Sequence, residues 1–428
     1  MRLKFLIVFP NNFYFITNIL IISWSSFLLL FFFGPIQYPY SSEIFYLNLI
    51  FFIGFYFGYF FYSLLPKKII VKNKNENNEN SLIIKATLLF SLLYLILVIY
   101  DSLIAGNVLE YGITVAREMM YYEGRRGSVI GMLNILLGGM PIIGITILIV
   151  LKKEEIGNYF YLLLGSSILG IFSYFLSGGR NFFVISLFVL FFVYLLQNKN
   201  RQKTNLLKKI KTKYKILIAI LILLSISYVL YLFIERAELR GITVYDTAMN
   251  LERDFGVKVT LSPFQNEFLS LIYYIFVMLV FYITHSLSLL SEYFYINYEQ
   301  LLGGVNTFPL FTMFIDKIFE TSFYQEAMNK LLLNGIYLSL LGRVYLDFSF
   351  FGVFMVSFFL GIILNYTLSR ARYSDGILIK LVSATMCATI LLMPMYNILA
   401  GTAISIILSI FIIYFTKVFF LRKNDVQR

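Results

Sequence analysis

Eight arginines, Arg117, Arg125, Arg126, Arg180, Arg236, Arg240, Arg253 and Arg343, lie in connections between long apolar runs. A guanidinium stays charged, is weakly hydrated and presents a planar fork that grips phosphate oxygens at two points. Arginines gathered at a membrane rim therefore suit a phosphate or pyrophosphate carried on a lipid. Proton transfer needs a second kind of group, and the candidates are Glu118, Glu123, His285 and Asp347.

Arg180 is the sharpest case. It stands in "SGGRNFFVISLFVLFFVYLL" (177–196), where no acid is at hand. A charge at membrane depth costs about 2.5–3.5 kcal/mol even on lenient scales, so its partner must come from another helix or from a ligand. The stretch "VAREMMYYEGRRGS" (115–128) sets Arg117, Glu118, Glu123, Arg125 and Arg126 around Tyr121 and Tyr122, a composition suited to a sugar phosphate. Interfacial tyrosines are also ordinary membrane anchors. In "NGIYLSLLGRVYLDFSFFG" (334–352), Arg343 and Asp347 are four apart and share one face if helical. Asp347 would equally suit the N-terminus of a span at 347–369. His285, the single histidine, fits either a base or a buried hydrogen-bonded residue. For loop arginines the competing reading is local pairing with Glu235, Glu238, Asp246, Glu252, Asp254 and Glu267, or snorkelling to lipid head groups.

The elements that must position these groups are membrane helices. Of the 428 residues 59% are hydrophobic and only 14% charged, with a mean hydropathy of +0.80. A soluble domain carries about a quarter charged residues. The chain reads as all-α, a polytopic membrane protein forming a single transmembrane domain over 1–428. Spans of about 20 residues are expected at 13–34, 44–65, 83–105, 128–151, 158–176, 181–197, 216–234, 268–290, 347–369, 379–395 and 398–416. A weaker run at 300–318 is a twelfth span or a helix that enters and returns, so ten to twelve spans are expected. The first run is too long for a signal peptide and is expected to remain as a span. One cysteine, Cys387, and one histidine exclude an internal disulfide and the usual metal clusters; no metal and no cofactor are expected.

Cations set the orientation. The segment 197–215 holds eight Lys or Arg and no acid, which marks the basic loop 198–215 as cytoplasmic. Segments 66–80, 152–155, 369–380 and both termini are assigned to the same side. Loops 106–127 and 235–267 and a second outward or re-entrant region, 291–346, then face away from the cytosol. On that assignment the cytoplasmic segments hold 18 of the 21 lysines but only six of the 14 arginines. An orientation signal explains the lysines and leaves the outward arginines unexplained. The net charge of +12 thus flanks spans and does not indicate nucleic acid. There is no Walker A loop, no GxGxxG after a strand and no HExxH. The loop "GPIQYPYSSE" (34–43) lacks the paired acids that hold a divalent cation.

Two stretches carry a family likeness. "SGGRNFFVISLFVLFFVYLL" resembles the small-Gly-x-Arg turn of the Wzy-type polymerases of O-antigen and capsule, the oligosaccharide repeat unit polymerases. "NGIYLSLLGRVYLDFSFFGVFMVSFFLGIILNY" (334–366) is similar to their late "N…T…y.DfG..G….G" element, with Ser349 where that pattern has glycine and Leu338 where threonine is common. The resemblance implies a metal-independent glycosyltransferase of the cytoplasmic (inner) membrane. It would polymerise undecaprenyl-diphosphate-linked oligosaccharide repeat units at the outer membrane face. It implies membrane lipids as surroundings and a chain-length regulator and a flippase as candidate partners. Arg180 and Arg343, then Arg117, Arg125, Arg126 and Arg240, would bind the diphosphate. A polysaccharide flippase, an O-antigen ligase and a non-enzymatic scaffold are the alternatives; a flippase would be expected to line a central path with cations within its spans, and a scaffold gives no reason for outward arginines.

Overall fold

A computed structural model describes residues 11–38, 42–65, 76–105, 110, 129–176, 180–197, 234, 241–295, 301–331, 338–373, 376–397, 399 and 404–426. The protein is an all-α membrane-embedded bundle. Six of its described helices are long and apolar enough to cross a bilayer, and four shorter apolar helices accompany them. The helices are α1 (Asn11–Phe33), α2 (Ser42–Leu64), α3 (Glu76–Ile99), α4 (Val129–Leu137), α5 (Met140–Val150), α6 (Phe160–Leu176) and α7 (Arg180–Gln197). They continue as α8 (Val244–Phe255), α9 (Glu267–Tyr295), α10 (Pro309–Phe319), α11 (Phe323–Asn329), α12 (Leu340–Tyr373), α13 (Ile377–Leu392) and α14 (Ser405–Val426). Two strands of two residues, β1 (Ile36–Gln37) and β2 (Lys258–Val259), pair antiparallel.

Membrane helices gain little from burying apolar side chains against one another, so close backbone approach decides which of them pack. The contact between α2 and α12 rests on small residues. A Cβ at Gly54 would lie 2.2 Å from Ser357 Oγ, and one at Gly58 1.9 Å from the Phe358 carbonyl oxygen. A Cβ at Gly361 would lie 2.1 Å from the Phe55 carbonyl oxygen. Asn365 Nδ2 then donates to the Tyr59 carbonyl at 2.7 Å. Partners therefore advance together along both chains, and the two helices run parallel. Elsewhere the indole of Trp24 donates to the Ile390 carbonyl at 2.8 Å and stacks on Phe51, tying α1 and α2 to α13.

Polar contacts sort the connections into two faces. Lys417 pairs with Glu79 at 2.6 Å, Lys380 donates to Gln197 Oε1 at 2.6 Å, and Gln197 donates to the Val150 carbonyl at 3.0 Å. The start of α3, the end of α5, the end of α7, the start of α13 and the later part of α14 thus share one face, the basic one. The opposite face gathers β1, β2 and the start of α12, where Tyr345 lies within electrostatic reach of Glu43 in the first turn of α2.

The 268–346 region, left open by hydropathy, is settled by contacts. Helix α10 has 11 residues, about 16 Å of helix and too short to span. Helix α9 has 29 residues, enough to cross, yet both of its flanks are tied to the opposite face. Before it, Thr260 N donates to the Pro35 carbonyl; within it, Thr284 bonds Tyr38 at 2.6 Å; after it, residues 301–308 meet the start of α12. The chain enters and leaves α9 on the same side. The expected span at 216–234 lies outside the described residues. The last span begins at Ser405 rather than 398, and α12 begins at Leu340 rather than 347. Apolar runs report membrane depth and carry no cap signal to fix a helix end.

Helix α12 changes direction at Ser349, whose φ of 58° and ψ of −166° fall in a region used almost only by glycine. Two expectations follow for unfolding in detergent. Gly58→Leu lowers the melting temperature by an overpacking cost of about 1–3 kcal/mol, whereas Gly165→Ala, whose Cβ meets nothing within 4 Å, does not lower it. Ser349→Gly raises the melting temperature by relieving about 1–3 kcal/mol of backbone strain; an unchanged or lower value refutes the strained bend.

Candidate functional site

The site forms where α12 meets the turn "LLGGVNTF" (301–308). Arg343 and Asp347 are one helical turn apart on α12, as their spacing requires. They hold the turn from both ends of its polarity. Asp347 Oδ1 accepts from Asn306 N at 3.2 Å; Oδ2 accepts from Thr307 N and Thr307 Oγ1, each at 2.6 Å. Arg343 Nη1 donates to the Asn306 carbonyl at 3.0 Å, and its Nε donates to the Leu338 carbonyl at 3.3 Å. The carbonyl of Asn306 and the amide of Thr307 belong to one peptide unit, so that single peptide is clamped between the two side chains. Gly303 and Gly304, with φ of 61° and 98°, let the turn reverse in left-handed conformations.

Asp347 is buried and both of its oxygens are engaged by the turn, which is the geometry of a positioning residue. Arg343 is partly buried. Among the described residues its hydrogen-bond partners are carbonyls, not a carboxylate, while Tyr293, Tyr324, Tyr396 and Asp347 lie within its electrostatic reach. Tyr324 is delivered by α11, and Asp316 organises that helix. Asp316 accepts from Thr321 Oγ1 at 2.6 Å and from the amides of Phe323 and Tyr324 at 3.1 and 2.7 Å. The Thr321 hydroxyl, with those amides, holds the Asp316 carboxyl below its ordinary range.

Behind the turn lies a cavity of about 1150 Å³. Thr307, Phe308 and Leu340 form one end; Ile83, Val356, Leu360, Ile377, Met386 and Ile410 are among the apolar residues of its wall. It extends to Glu79, Lys152, Arg370 and Lys417 at the basic face. Helix α14 packs on α3, α4, α5 and α13, and α12 packs on α2 and α13. The cavity fills the space left between α12 and α14, and Phe411 and Tyr414 both line it and stay half-exposed to the membrane side.

The remaining expected site residues are distributed otherwise. His285 is buried in α9, its Nδ1 bonded to the Phe281 carbonyl at 2.9 Å and its ring stacked on Phe281. Its partners are those of a packed helix residue, and it is tied to its own helix rather than to Arg343 or Asp347. Arg180 opens α7, which ends at the basic face, so its backbone lies toward the opposite one. Arg253 pairs with its neighbour Asp254 at 2.9 Å in an exposed position, the local pairing weighed from sequence. Arg117, Glu118, Glu123, Arg125, Arg126, Arg236 and Arg240 lie outside the described residues. Among the described residues no three His, Cys, Asp or Glu side chains group to hold a metal. The sequence reading missed Asn306, Thr307, Tyr324 and Tyr396; the adjacent glycines Gly303 and Gly304 were the one local sign of a built turn. Comparison with protein-family models, with characterised proteins and with solved structures gives no match.

Removing the anchor tests this geometry. Asp347→Ala strands the amides of Asn306 and Thr307 and is expected to cost about 3 kcal/mol or more, read as a lower melting temperature. Asp347→Asn, which keeps one acceptor oxygen, loses less. Equal stability of Asp347→Ala and the parent chain would show that the turn is held by something else.

Proposed function

We propose that this protein is a membrane glycosyltransferase that extends a polyprenyl-diphosphate-linked oligosaccharide at the non-cytosolic face of the cytoplasmic membrane. This is the activity implied by its likeness to the Wzy-type polymerases of O-antigen and capsule. One observation carries the reading: a guanidinium oriented by main-chain carbonyls holds the turn whose next residues, Thr307 and Phe308, line one end of a largely apolar cavity. An anionic head joined to a long apolar chain is the ligand class that such a pair of environments suits. The face bearing Arg343 also receives β1, β2, the turn 301–308 and the start of α7 at Arg180.

In the proposed reaction a hydroxyl of the acceptor sugar attacks the anomeric carbon of the donor. The bond from that carbon to the diphosphate oxygen breaks, and polyprenyl diphosphate leaves with the electron pair. Negative charge grows on the leaving group, so preorganised guanidinium groups lower the barrier. Arg343 and Arg180 are assigned to the diphosphate, with Arg117, Arg125, Arg126 and Arg240 as further ligands. The hydroxyl proton passes to a carboxylate. Asp347 and His285 are occupied in structural bonds, so that role is assigned to Glu118 or Glu123. The isoprenoid chain lies in the cavity between α12 and α14, and its substrate requires neither a metal nor a nucleotide sugar.

Purified protein in detergent, given lipid-linked repeat units, should lengthen them. Arg343→Lys keeps the charge and loses the fork, and its turnover is expected to fall about 10²–10³-fold, the range for deleting one preorganised donor. Arg180→Lys and Arg180→Ala should both shorten polymer, the alanine variant more. Wild-type polymer from both Arg180 variants would remove that residue from the site.

A further inference from the structure

The turn gripped by Arg343 and Asp347 carries a side chain that neither of them uses. Asn306 is fully buried, and among the described residues it alone has both side-chain polar atoms, Oδ1 and Nδ2, buried without a hydrogen-bond partner. A buried amide without partners is disfavoured, because each group has given up water and received nothing in return. Its main chain, by contrast, is fully committed: N to Asp347 at 3.2 Å and O to Arg343 at 3.0 Å. The backbone is therefore fixed with the carboxamide left over. A carboxamide offers two donors on nitrogen and an acceptor on oxygen, which matches neighbouring hydroxyls on a sugar ring. Thr307 and Phe308, the next two residues, line the cavity end, and the reversal at Gly303 and Gly304 precedes it. Asn306 itself does not line the cavity, so recognition of a ligand at that end requires rotation of its side chain while its main chain stays clamped.

We propose that Asn306 is the sugar-recognition residue of this site: its carboxamide hydrogen-bonds the hydroxyls of the sugar attached to the diphosphate that Arg343 binds. The assignment rests on the proposed function and deepens it by separating the two halves of the donor. Arg343 reads the anion, and Asn306 reads the first sugar. Fixing the peptide of Asn306 through Asp347 sets the distance between the two recognition groups. Sites built to pair a hydroxyl discriminate strongly against ligands that lack it, since the site's own polar groups are then stranded.

The test uses two probes with the full-length protein in detergent: undecaprenyl diphosphate, and the same lipid bearing one hexose, in gluco and galacto forms. The wild-type chain is expected to bind at least one hexosyl lipid tenfold or more tighter than the bare lipid. Asn306→Ala should bind both at the bare-lipid affinity, and Arg343→Lys should weaken both by the same factor. Asn306→Ser, which keeps a small polar group, supplies the same comparison should the alanine variant not fold. The proposal is overturned if Asn306→Ala or Asn306→Ser retains the hexose preference, or if the wild type has none. A loss of affinity for both lipids alike would equally overturn it, because Asn306 would then only shape the turn around an ordered water. Failure of the wild type to bind bare undecaprenyl diphosphate sinks the proposed function instead.

Discussion

One peptide unit, that between Asn306 and Thr307, organises the opposite-face end of this bundle. Its carbonyl is held by a guanidinium and its amide by a carboxylate, and both side chains stand one turn apart on α12. Opposite charges at that spacing attract each other in any helix, but only weakly where water can reach them. Here Asp347 spends its hydrogen bonds on the turn, and Arg343 divides its own between the turn and the Leu338 carbonyl. The arrangement satisfies a buried carboxylate without a salt bridge, which matters where an unpaired charge is costly. It also converts a loop into a rigid element at the end of a cavity. Removing Asp347 would strand the Thr307 amide, and removing Arg343 would strand the Asn306 carbonyl.

That clamp needs α12 to start above its long membrane-facing part, and the bend at Ser349 provides this. Residues 340–348 precede the bend and carry the clamp, whereas the remainder packs beside α2 through the glycine contact. The two halves of α12 therefore do different work, one polar and one steric. The cavity follows from the same division. Because α12 is drawn tightly to α2 and α13, its other side does not close on α14, and the cavity occupies the space between them.

Much of this was legible in the sequence, in uneven measure. Apolar runs located the spans because hydrocarbon thickness sets a length that composition must match. The pairing of Arg343 with Asp347 followed from a spacing of four. The position of α9 was not legible, since a helix lying along a bundle end and one crossing it have the same composition; only its contacts with Tyr38 and Pro394 separate them. The role of Asp347 stayed open for a related reason. A carboxylate gives no local sign of whether it awaits a proton or a main-chain amide forty residues away. Asn306 was invisible because its significance lies in bonds it does not form. His285 and Arg253 went the ordinary way, into helix packing and a neighbouring ion pair.

The two faces handle positive charge by different chemistry, and this difference bears most directly on function. At the basic face three described lysines are matched to side chains: Lys417 to Glu79, Lys380 to Gln197, Lys153 to the Tyr161 hydroxyl. A point charge on a flexible stem is well suited to such pairs. At the other face Arg343 is held by carbonyls, which orient a guanidinium but do not neutralise it. Its nearest carboxylate, Asp347, directs its hydrogen bonds at the turn, so the two charges offset each other only through space, and the low dielectric there strengthens that interaction. Lysine in the same place would keep the charge but lack the planar fork that lets a guanidinium donate from several fixed edges. The contrast is thus between lysines that meet side chains and an arginine that meets main-chain carbonyls, and the proposed anion-binding role rests on it.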